Sequence, residues 1–261
     1  MTASTAPTAM FLLIDPPRQG WQNMARDQAL LDLAEREGLA VLRLYQWNPH
    51  CLSFGRHEPA LKRYDRARIE SQGLDCVRRP TGGRAVWHAR ELTYSVTAPL
   101  AVFGSLPQAY RCIHQIIAEA VRSLGAVPAL AAAPAQASRV DAGACFASPA
   151  GGEVVIGDHK LVGSAQVRQS DAFLQHGSLL LQDDQRAVQE LTLGDPPASL
   201  DRPLNQVLGR VVGFDEMAHS IAREFENWTG SLVEWDREAR LAEVAGEHGA
   251  RYRSAEWTWS R

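Results

Sequence analysis

The chain has 261 residues, of which 45% are hydrophobic and 22% are charged, and its formal net charge is −3. A chain of this length and composition can bury a large core without disulfide or metal staples, so we expect a globular protein with no metal site. The slightly negative charge gives no support for nucleic acid or an anionic membrane as a partner, which leaves proteins as the expected macromolecular partners.

The patterns along the chain predict a mixture of strands and helices. Helix patterns carry apolar residues three or four positions apart, and strand patterns are short apolar runs bounded by Pro, Gly or Asn. In chain order, we predict a strand over 11–14, a helix over 23–38, strands over 41–45 and 51–54, a helix over 65–72, strands over 76–79 and 92–96, a helix over 106–124, a surface loop over 127–144, strands over 153–156, 160–168 and 173–181, a helix over 216–230 and a strand over 252–259.

Several predicted strands follow one another directly, which does not fit a simple doubly wound sheet. We therefore predict an α+β fold, a mixed β-sheet sandwich flanked by helices. We expect a disordered lead over residues 1–9, a catalytic domain over 10–202 and a C-terminal extension over 203–261 that packs on it.

The four cysteines, Cys51, Cys76, Cys112 and Cys145, form no CxxC pair, which argues against a zinc ribbon or a thioredoxin-like site. The apolar run near the N-terminus, residues 10–14, is too short for a signal peptide or a membrane span. We therefore expect a cytoplasmic protein, where a reduced cysteine can act as a nucleophile.

The segment RRPTGGRAVWH, residues 78–88, concentrates basic residues and glycine between two predicted strands. Adjacent glycines let backbone N–H groups approach a ligand closely, and flanking arginines suit an anionic or carbonyl-rich group. Taken alone, these residues fit equally well a Gly-Gly hairpin turn with solvated arginines.

Two further positions could carry chemistry. In GDHKLVGSAQVR, residues 157–168, Lys160 stands between a turn and an apolar stretch, which would allow its ammonium to point into a pocket; an exposed turn lysine is the commoner case. Cys145 lies in ACFASP, residues 144–149, where a loop enters a strand region. A lone cysteine is more often a small buried hydrophobe than a nucleophile, and spacing does not decide between the two.

The segments RRPTGGRAVWH with ELTYSV after it, CFASP, and GDHKLVGSAQVR with LQHGSLL together resemble the biotin/lipoate protein ligase superfamily. Within it they are most similar to the cysteine-dependent octanoyltransferases of lipoate synthesis. The resemblance covers over half of the chain and implies the catalytic-domain fold of that superfamily. Arg84 in place of a third loop glycine, and Cys145 where ligases tend to have an Asn-Asp type segment, favour a transferase. Ala89 departs from the acidic residue usual after the loop histidine.

The resemblance implies that octanoyl is taken from acyl carrier protein and given to a lysine of a lipoyl domain or of the glycine-cleavage H protein, without a cofactor. Cys145 would form an acyl thioester, and Lys160 would stabilise its thiolate and polarise the acyl carbonyl. The implied substrate-binding residues are Arg79, Thr81, Gly82, Gly83, Arg84, Ala85, Val86, His88, Gly163, Ser164, Ala165 and His176.

Related activities stay open at this point. In an ATP-dependent lipoate ligase, the same loops would hold an acyl-adenylate, with ATP and magnesium required. An amidotransferase that moves octanoyl between two lipoyl domains would have almost the same sequence. A non-catalytic binding relative is less consistent with the joint presence of arginine, lysine and cysteine in these motifs.

Overall fold

The computed structural model describes residues 9–132, 151–195 and 201–260, which form twelve strands and ten helices. The strands are β1 (Met10–Ile14), β2 (Ala40–Tyr45), β3 (Cys51–Phe54), β4 (Asp75–Arg78), β5 (Val86–His88), β6 (Glu91–Pro99), β7 (Ala129–Leu130), β8 (Val154–Ile156), β9 (His159–Lys160), β10 (Val162–Gln169), β11 (Ala172–Leu180) and β12 (Leu232–Glu234). The helices are α1 (Gly20–Glu37), α2 (Ala60–Arg63), α3 (Arg66–Ser71), α4 (Leu100–Phe103), α5 (Leu106–Ser123), α6 (Arg186–Glu190), α7 (Leu204–Leu208), α8 (Phe214–Thr229), α9 (Glu238–Arg253) and α10 (Ala255–Thr258).

Six strands form a central mixed sheet in the order β10-β11-β6-β2-β1-β12. The strand β1 is parallel to both of its neighbours, whereas β10, β11, β6 and β2 pair in antiparallel fashion. The predicted α+β class with a mixed sheet flanked by helices is therefore confirmed.

The strand β6 shows how the sheet separates two environments. Leu92, Tyr94 and Val96 belong to the main apolar core, which also contains the inner faces of α5 and α8. The alternate residues Thr93 and Ser95 are polar yet almost fully buried on the opposite face, where Ser95 bonds to α1. Because successive side chains in a strand point to opposite faces, the sheet has one apolar side and one polar, buried side under α1.

A small sheet of order β4-β3-β5 carries the glycine-rich loop. The strands β4 and β5 both pair with β3, in parallel and antiparallel fashion respectively, and not with each other. The loop over 79–85 therefore passes over the end of β3, and the alternative of a Gly-Gly hairpin is wrong. A third sheet, β7-β8-β9, contains the predicted turn at Gly157 and Asp158.

The predicted strand over 252–259 is wrong, because these residues form the end of α9 and the short helix α10. The alternation of aromatic and polar residues reflects packing in two directions. Tyr252 and Trp257 pack beside Met24 of α1, whereas Trp259 packs on Phe54 in the small sheet. The Ser254 hydroxyl accepts a hydrogen bond from the backbone N–H of Trp257 and caps α10.

The other predicted elements within the described ranges match strands and helices to within a few residues. Residues after 203 supply β12, which extends the central sheet beside β1, and α9, which packs along α1. The division at residue 203 stays a prediction. Residues 1–8 of the predicted lead and most of the predicted loop over 127–144 lie outside the described residues. Within the described ranges, none of the helices is both long and apolar enough to cross a membrane.

Candidate active site

A small cavity lies between the polar face of the central sheet, α1 and the small sheet. Apolar groups come from Met24, Tyr45, Trp47, Val86 and Ala165, and glycines at 163 and 177 leave room along the strands. Polar side chains come from Arg79, His88, Thr93, His176 and Ser178; Ser164 also borders the cavity, but its hydroxyl points to the other face of the sheet, toward Tyr94 and His114.

The register of four strands explains why these residues meet. Tyr45 pairs with Thr93, Thr93 with Ser178, and Ser178 with Gly163, so the four residues form one row across the sheet. The next row includes His176 and Ala165, which pair with each other. Since residues opposite one another in a sheet share a face, both rows present their side chains on the same side.

Asp27 of α1 is the centre of the polar face behind the cavity. Its carboxylate is fully buried and accepts hydrogen bonds from Arg43 (2.7 Å), Tyr45 (2.9 Å), Ser95 (2.9 Å) and His176 (2.9 Å). Burial alone would raise the pKa of Asp27, but the Arg43 guanidinium and the bond from His176 outweigh burial and lower it. Asp27 is therefore a charged acceptor that fixes the donors around it.

His176 connects Asp27 to the glycine-rich loop. Burial lowers the pKa of His176 despite the nearby Asp27 carboxylate, so the ring is neutral at physiological pH. Because Asp27 can only accept, His176 Nδ1 donates to it and Nε2 accepts from the Thr81 hydroxyl at 2.6 Å. The start of the loop is thereby tied to the central sheet.

A second buried histidine, His88 of β5, is held in a similar way. Its Nδ1 lies 2.7 Å from Glu91 Oε1, and its Nε2 lies 2.6 Å from the Ser53 hydroxyl. The ring stacks on Trp47 with centroids 4.1 Å apart. Both ring nitrogens are therefore engaged, which suits a wall of the cavity rather than a mobile proton carrier.

Arg79 supports the loop from within. Its guanidinium donates to the carbonyl oxygens of Ser53 (2.8 Å), Gly82 (3.3 Å) and Arg84 (2.6 Å). Gly83 has a φ of 90°, which favours glycine, and its carbonyl lies so close to Gly55 that a Cβ there would be 1.8 Å away. The loop is thus fixed by hydrogen bonds from Arg79 and by the close packing of its backbone against Gly55.

Lys160 is almost fully buried, so the alternative of an exposed turn lysine is wrong. Its Nζ forms an ion pair of 2.8 Å with the equally buried Glu153. Nothing in the sequence indicated Glu153 as this partner. Lys160 also contributes to lowering the pKa of His114, so its charge acts on α5, which packs on the apolar face of the sheet.

A directed chain of hydrogen bonds runs from Ser164 to the backbone at Gly152. Burial lowers the pKa of His114 to about 4, so its ring is neutral. His114 Nδ1 donates to the Gly152 carbonyl (2.7 Å), and Nε2 accepts from Ser164 Oγ (2.8 Å). Tyr94 then donates to Ser164 at 2.7 Å. A Cβ on Gly177 would lie 2.3 Å from Ser164 Oγ, so this contact needs glycine.

Three of the four cysteines lie within the described residues, in β3, β4 and α5, and none forms a disulfide. Burial raises the pKa of the Cys51 thiol, that of Cys76 to about 12, and that of Cys112. All three are therefore protonated thiols at neutral pH and poor nucleophiles. Cys145 lies outside the described residues.

The residues that the sequence indicated fall into three groups. Those that line the cavity are Arg79, Val86, His88, Gly163, Ser164, Ala165 and His176. Thr81, Gly82, Gly83 and Arg84 form the loop that Arg79 and His176 hold, and Ala85 packs in the apolar cluster of the small sheet. Lys160 is paired with Glu153 and is not one of the described residues that line the cavity.

The sequence did not indicate Asp27, Met24, Thr93, His114 or Ser178. Asp27, Thr93 and His114 sit in ordinary helix or strand patterns, where a buried polar residue resembles any other interruption of an apolar face, and Met24 resembles any other apolar residue of a helix. Ser178 directly follows His176 and Gly177 in the segment LQHGS, so its place in the cavity row could have been inferred from strand alternation.

A separate cluster of Asp32, Glu247 and His248 brings three potential metal ligands within 4.8 Å of one another. Arg36 lies 3.5 Å from Asp32 and 3.8 Å from Glu247, and His248 donates to Asp32 at 2.8 Å. Burial alone would raise the pKa of Asp32, but its hydrogen bonds lower it to about 2. The cluster is an ion-pair network that joins α1 to α9.

Several curated relatives match nearly the whole chain. An octanoyltransferase LipM from Exiguobacterium sibiricum is 34% identical and aligns over 92% of this chain and 94% of the relative. Octanoyltransferases LipM from Staphylococcus aureus and Moorella thermoacetica are 33% and 36% identical, over 92% and 91% of this chain and 95% and 93% of the relatives.

Solved structures show the same fold. A putative lipoate protein ligase from T. acidophilum superposes with a TM-score of 0.79 at 20% identity, over 97% of this chain and all of that one. A lipoate-protein ligase A bound with ATP gives 0.74 at 19% identity, over 97% and 99% of the two chains. The predicted superfamily fold is therefore confirmed. The model of the lipoyl protein ligase A/B catalytic domain matches residues 19–226, and the chain belongs to this family.

Proposed function

We propose that this protein is an acyltransferase that moves an octanoyl group from a thioester donor to a lysine of a lipoyl domain or of the glycine-cleavage H protein, in lipoate biosynthesis. The observation that carries the proposal is the match, over 92% of the chain, to relatives named octanoyltransferase LipM. The proposed donor is octanoyl-acyl carrier protein, and the proposed site of action is the cytoplasm.

The cavity supports an acyl substrate. Its lining combines apolar side chains with a few fixed polar groups, which is the chemistry that suits a hydrocarbon tail with one polar end. Each buried methylene contributes roughly 0.8 kcal/mol, so the tail would supply about 5 kcal/mol of binding free energy.

Cys145 is the proposed nucleophile. The other three cysteines have raised pKa values, which leaves Cys145 as the candidate for a thiolate. Its position in the sequence supports this, because Gly152, seven residues later, is bound through His114 to Ser164 in the cavity wall. An extended chain of seven residues spans at most about 25 Å, so Cys145 is tethered within that distance of Gly152.

The proposed reaction has two steps. Cys145 Sγ adds to the carbonyl carbon of the donor thioester, the carrier sulfur leaves, and the proton lost by Cys145 ends on the carrier thiol. The amine of the acceptor lysine then attacks the octanoyl-cysteine, an amide forms, and the cysteine thiol is released. Lys160 supplies the positive charge that favours the thiolate and the developing oxyanion.

Exchange between thioesters is nearly isoenergetic, and amide formation from a thioester is favourable. The proposed transfer therefore needs no nucleotide or metal cofactor. An ATP-dependent ligase would instead activate a free acid as the adenylate, and an amidotransferase would take octanoyl from a second lipoyl domain.

These alternatives separate in one turnover experiment with a lipoyl domain as acceptor. The protein is supplied with octanoyl-acyl carrier protein without ATP, with octanoate plus ATP and magnesium, or with an octanoylated lipoyl domain. We expect modification of the acceptor with the first donor. Modification only with octanoate and ATP would establish the ligase, and modification only with the octanoylated domain would establish the amidotransferase.

A further inference from the structure

The polar side chains of the cavity are almost all committed to partners within the protein. His88 and His176 use both ring nitrogens, and the Tyr45 hydroxyl donates to Asp27. Thr93 Oγ1 accepts from Trp47 Nε1 at 2.7 Å and donates to Glu91. These side chains already use their donors and acceptors within the protein, so none of these side chains is the obvious hydrogen-bond partner for a substrate atom.

Ser178 is different. Its side chain lies in the cavity row between Thr93 and Gly163, and the residue is only 2% exposed. Its hydroxyl has no hydrogen-bond partner among the described residues. A buried polar group without a partner is unfavourable and uncommon in folded proteins, so a hydroxyl of this kind in a cavity wall indicates a partner on the ligand.

An octanoyl thioester offers one strong acceptor, its carbonyl oxygen, because the remainder of the group is hydrocarbon. Ser178 stands opposite Gly163, which follows Lys160 by three residues on the same sequence segment. Of the two cavity rows, the hydroxyl therefore belongs to the one nearer in sequence to Lys160, the residue that the proposed chemistry assigns to the carbonyl.

We propose that the Ser178 hydroxyl donates a hydrogen bond to the carbonyl oxygen of the bound acyl group. This bond becomes stronger as negative charge develops on that oxygen in the oxyanion. The inference rests on the proposed acyl transfer. When the attacking thiolate sulfur bonds to the carbonyl carbon, the π pair moves onto the oxygen. Collapse restores the C=O bond and breaks the bond to the carrier sulfur. Ser178 keeps its proton throughout and acts as a donor to the oxyanion.

The test compares Ser178→Ala with Ser178→Thr, which keeps a hydroxyl, and with Thr97→Val as a matched control. Thr97 also carries a buried hydroxyl without a partner among the described residues, but it does not line the cavity. The single-turnover rate of acylation by octanoyl-acyl carrier protein is measured for each full-length variant. The C=O stretch of the octanoyl-enzyme, with a ¹³C label at the carbonyl, is recorded by infrared difference spectroscopy.

Loss of one oxyanion donor typically slows the reaction about 100-fold, which is the expected fall for Ser178→Ala. Its C=O stretch should move to higher wavenumber, and its melting temperature should equal or exceed that of the wild type, because an unpartnered buried hydroxyl is removed. Ser178→Thr should recover part of the rate, and Thr97→Val should react normally.

A Ser178→Ala rate within twofold of wild type, with an unchanged C=O stretch, would overturn this inference alone. A wild-type protein that accepts no octanoyl would overturn the proposed function and this inference together.

Discussion

Asp27 Oδ2 of α1 accepts a hydrogen bond of 2.9 Å from His176 Nδ1 of β11, 149 residues away in the sequence. The same carboxylate compensates the fully buried Arg43 guanidinium at 2.7 Å. The Asp27→Asn variant would remove one of the negative charges that pair with the Arg43 guanidinium. It would also place an amide N–H₂ donor where the surrounding side chains are themselves donors. We expect a loss of about 3–5 kcal/mol in the free energy of unfolding, measured by urea denaturation. Asp158→Asn, at an exposed turn, is the control. A loss below about 1 kcal/mol for Asp27→Asn would show that this network contributes little.

The buried ion pair of Lys160 and Glu153 dictates how the role of Lys160 has to be tested. Lys160→Met alone leaves Glu153 buried without its 2.8 Å partner, which should cost about 3–5 kcal/mol of stability. The double variant Lys160→Met, Glu153→Gln should recover most of that stability, because no charge is left uncompensated at this pair. We expect both variants to lack octanoyl transfer in a turnover assay. Normal transfer by the double variant would assign Lys160 a structural role only.

Gly55 determines the position of the glycine-rich loop. In Gly55→Ala the new Cβ would stand 1.8 Å from the Gly83 carbonyl oxygen, so the loop must shift. Overpacking of this kind costs about 1–3 kcal/mol, and the displaced loop should slow acylation at least about tenfold. The control is Gly82→Ala, whose Cβ would meet no atom within 4 Å and should leave the melting temperature unchanged. Equal melting temperatures and equal acylation rates for Gly55→Ala and the wild type would contradict this account.

His114 should make stability depend on pH in a defined window. Burial lowers its pKa in the folded protein to about 4, whereas in the unfolded chain it is about 6.5. Between these values the unfolded chain binds a proton that folded His114 does not, so stability is complete above pH 6.5 and falls toward pH 4. The loss from this residue amounts to about 3 kcal/mol. Urea denaturation from pH 7.5 to pH 4 should show a shallower dependence for His114→Gln than for the wild type. His219→Gln, exposed on α8, is the control, and identical pH profiles for wild type and His114→Gln would refute the prediction.

The sequence predicted those features that depend on local periodicity. The apolar positions of α5 repeat at helical spacing, and β11 is a short buried run, so both were found. The region over 252–259 was misassigned because Trp257 and Trp259, two positions apart, imitate the period of a strand although they pack in different clusters. The partnership of Asp27 with His176 depends on how α1 packs on β11, and that of Lys160 with Glu153 depends on how β9 pairs with β8. No local pattern records that arrangement.

The most direct test of the account is whether Cys145 alone carries the acyl group. The full-length protein is incubated with octanoyl-acyl carrier protein without ATP, and its intact mass is measured before and after hydroxylamine. We expect a gain of one octanoyl group that hydroxylamine removes, no gain in Cys145→Ala, and an undiminished gain in Cys112→Ala, whose thiol is half-buried and has a raised pKa. An adduct that persists in Cys145→Ala, or a wild-type protein that gains no mass, would contradict covalent transfer through Cys145.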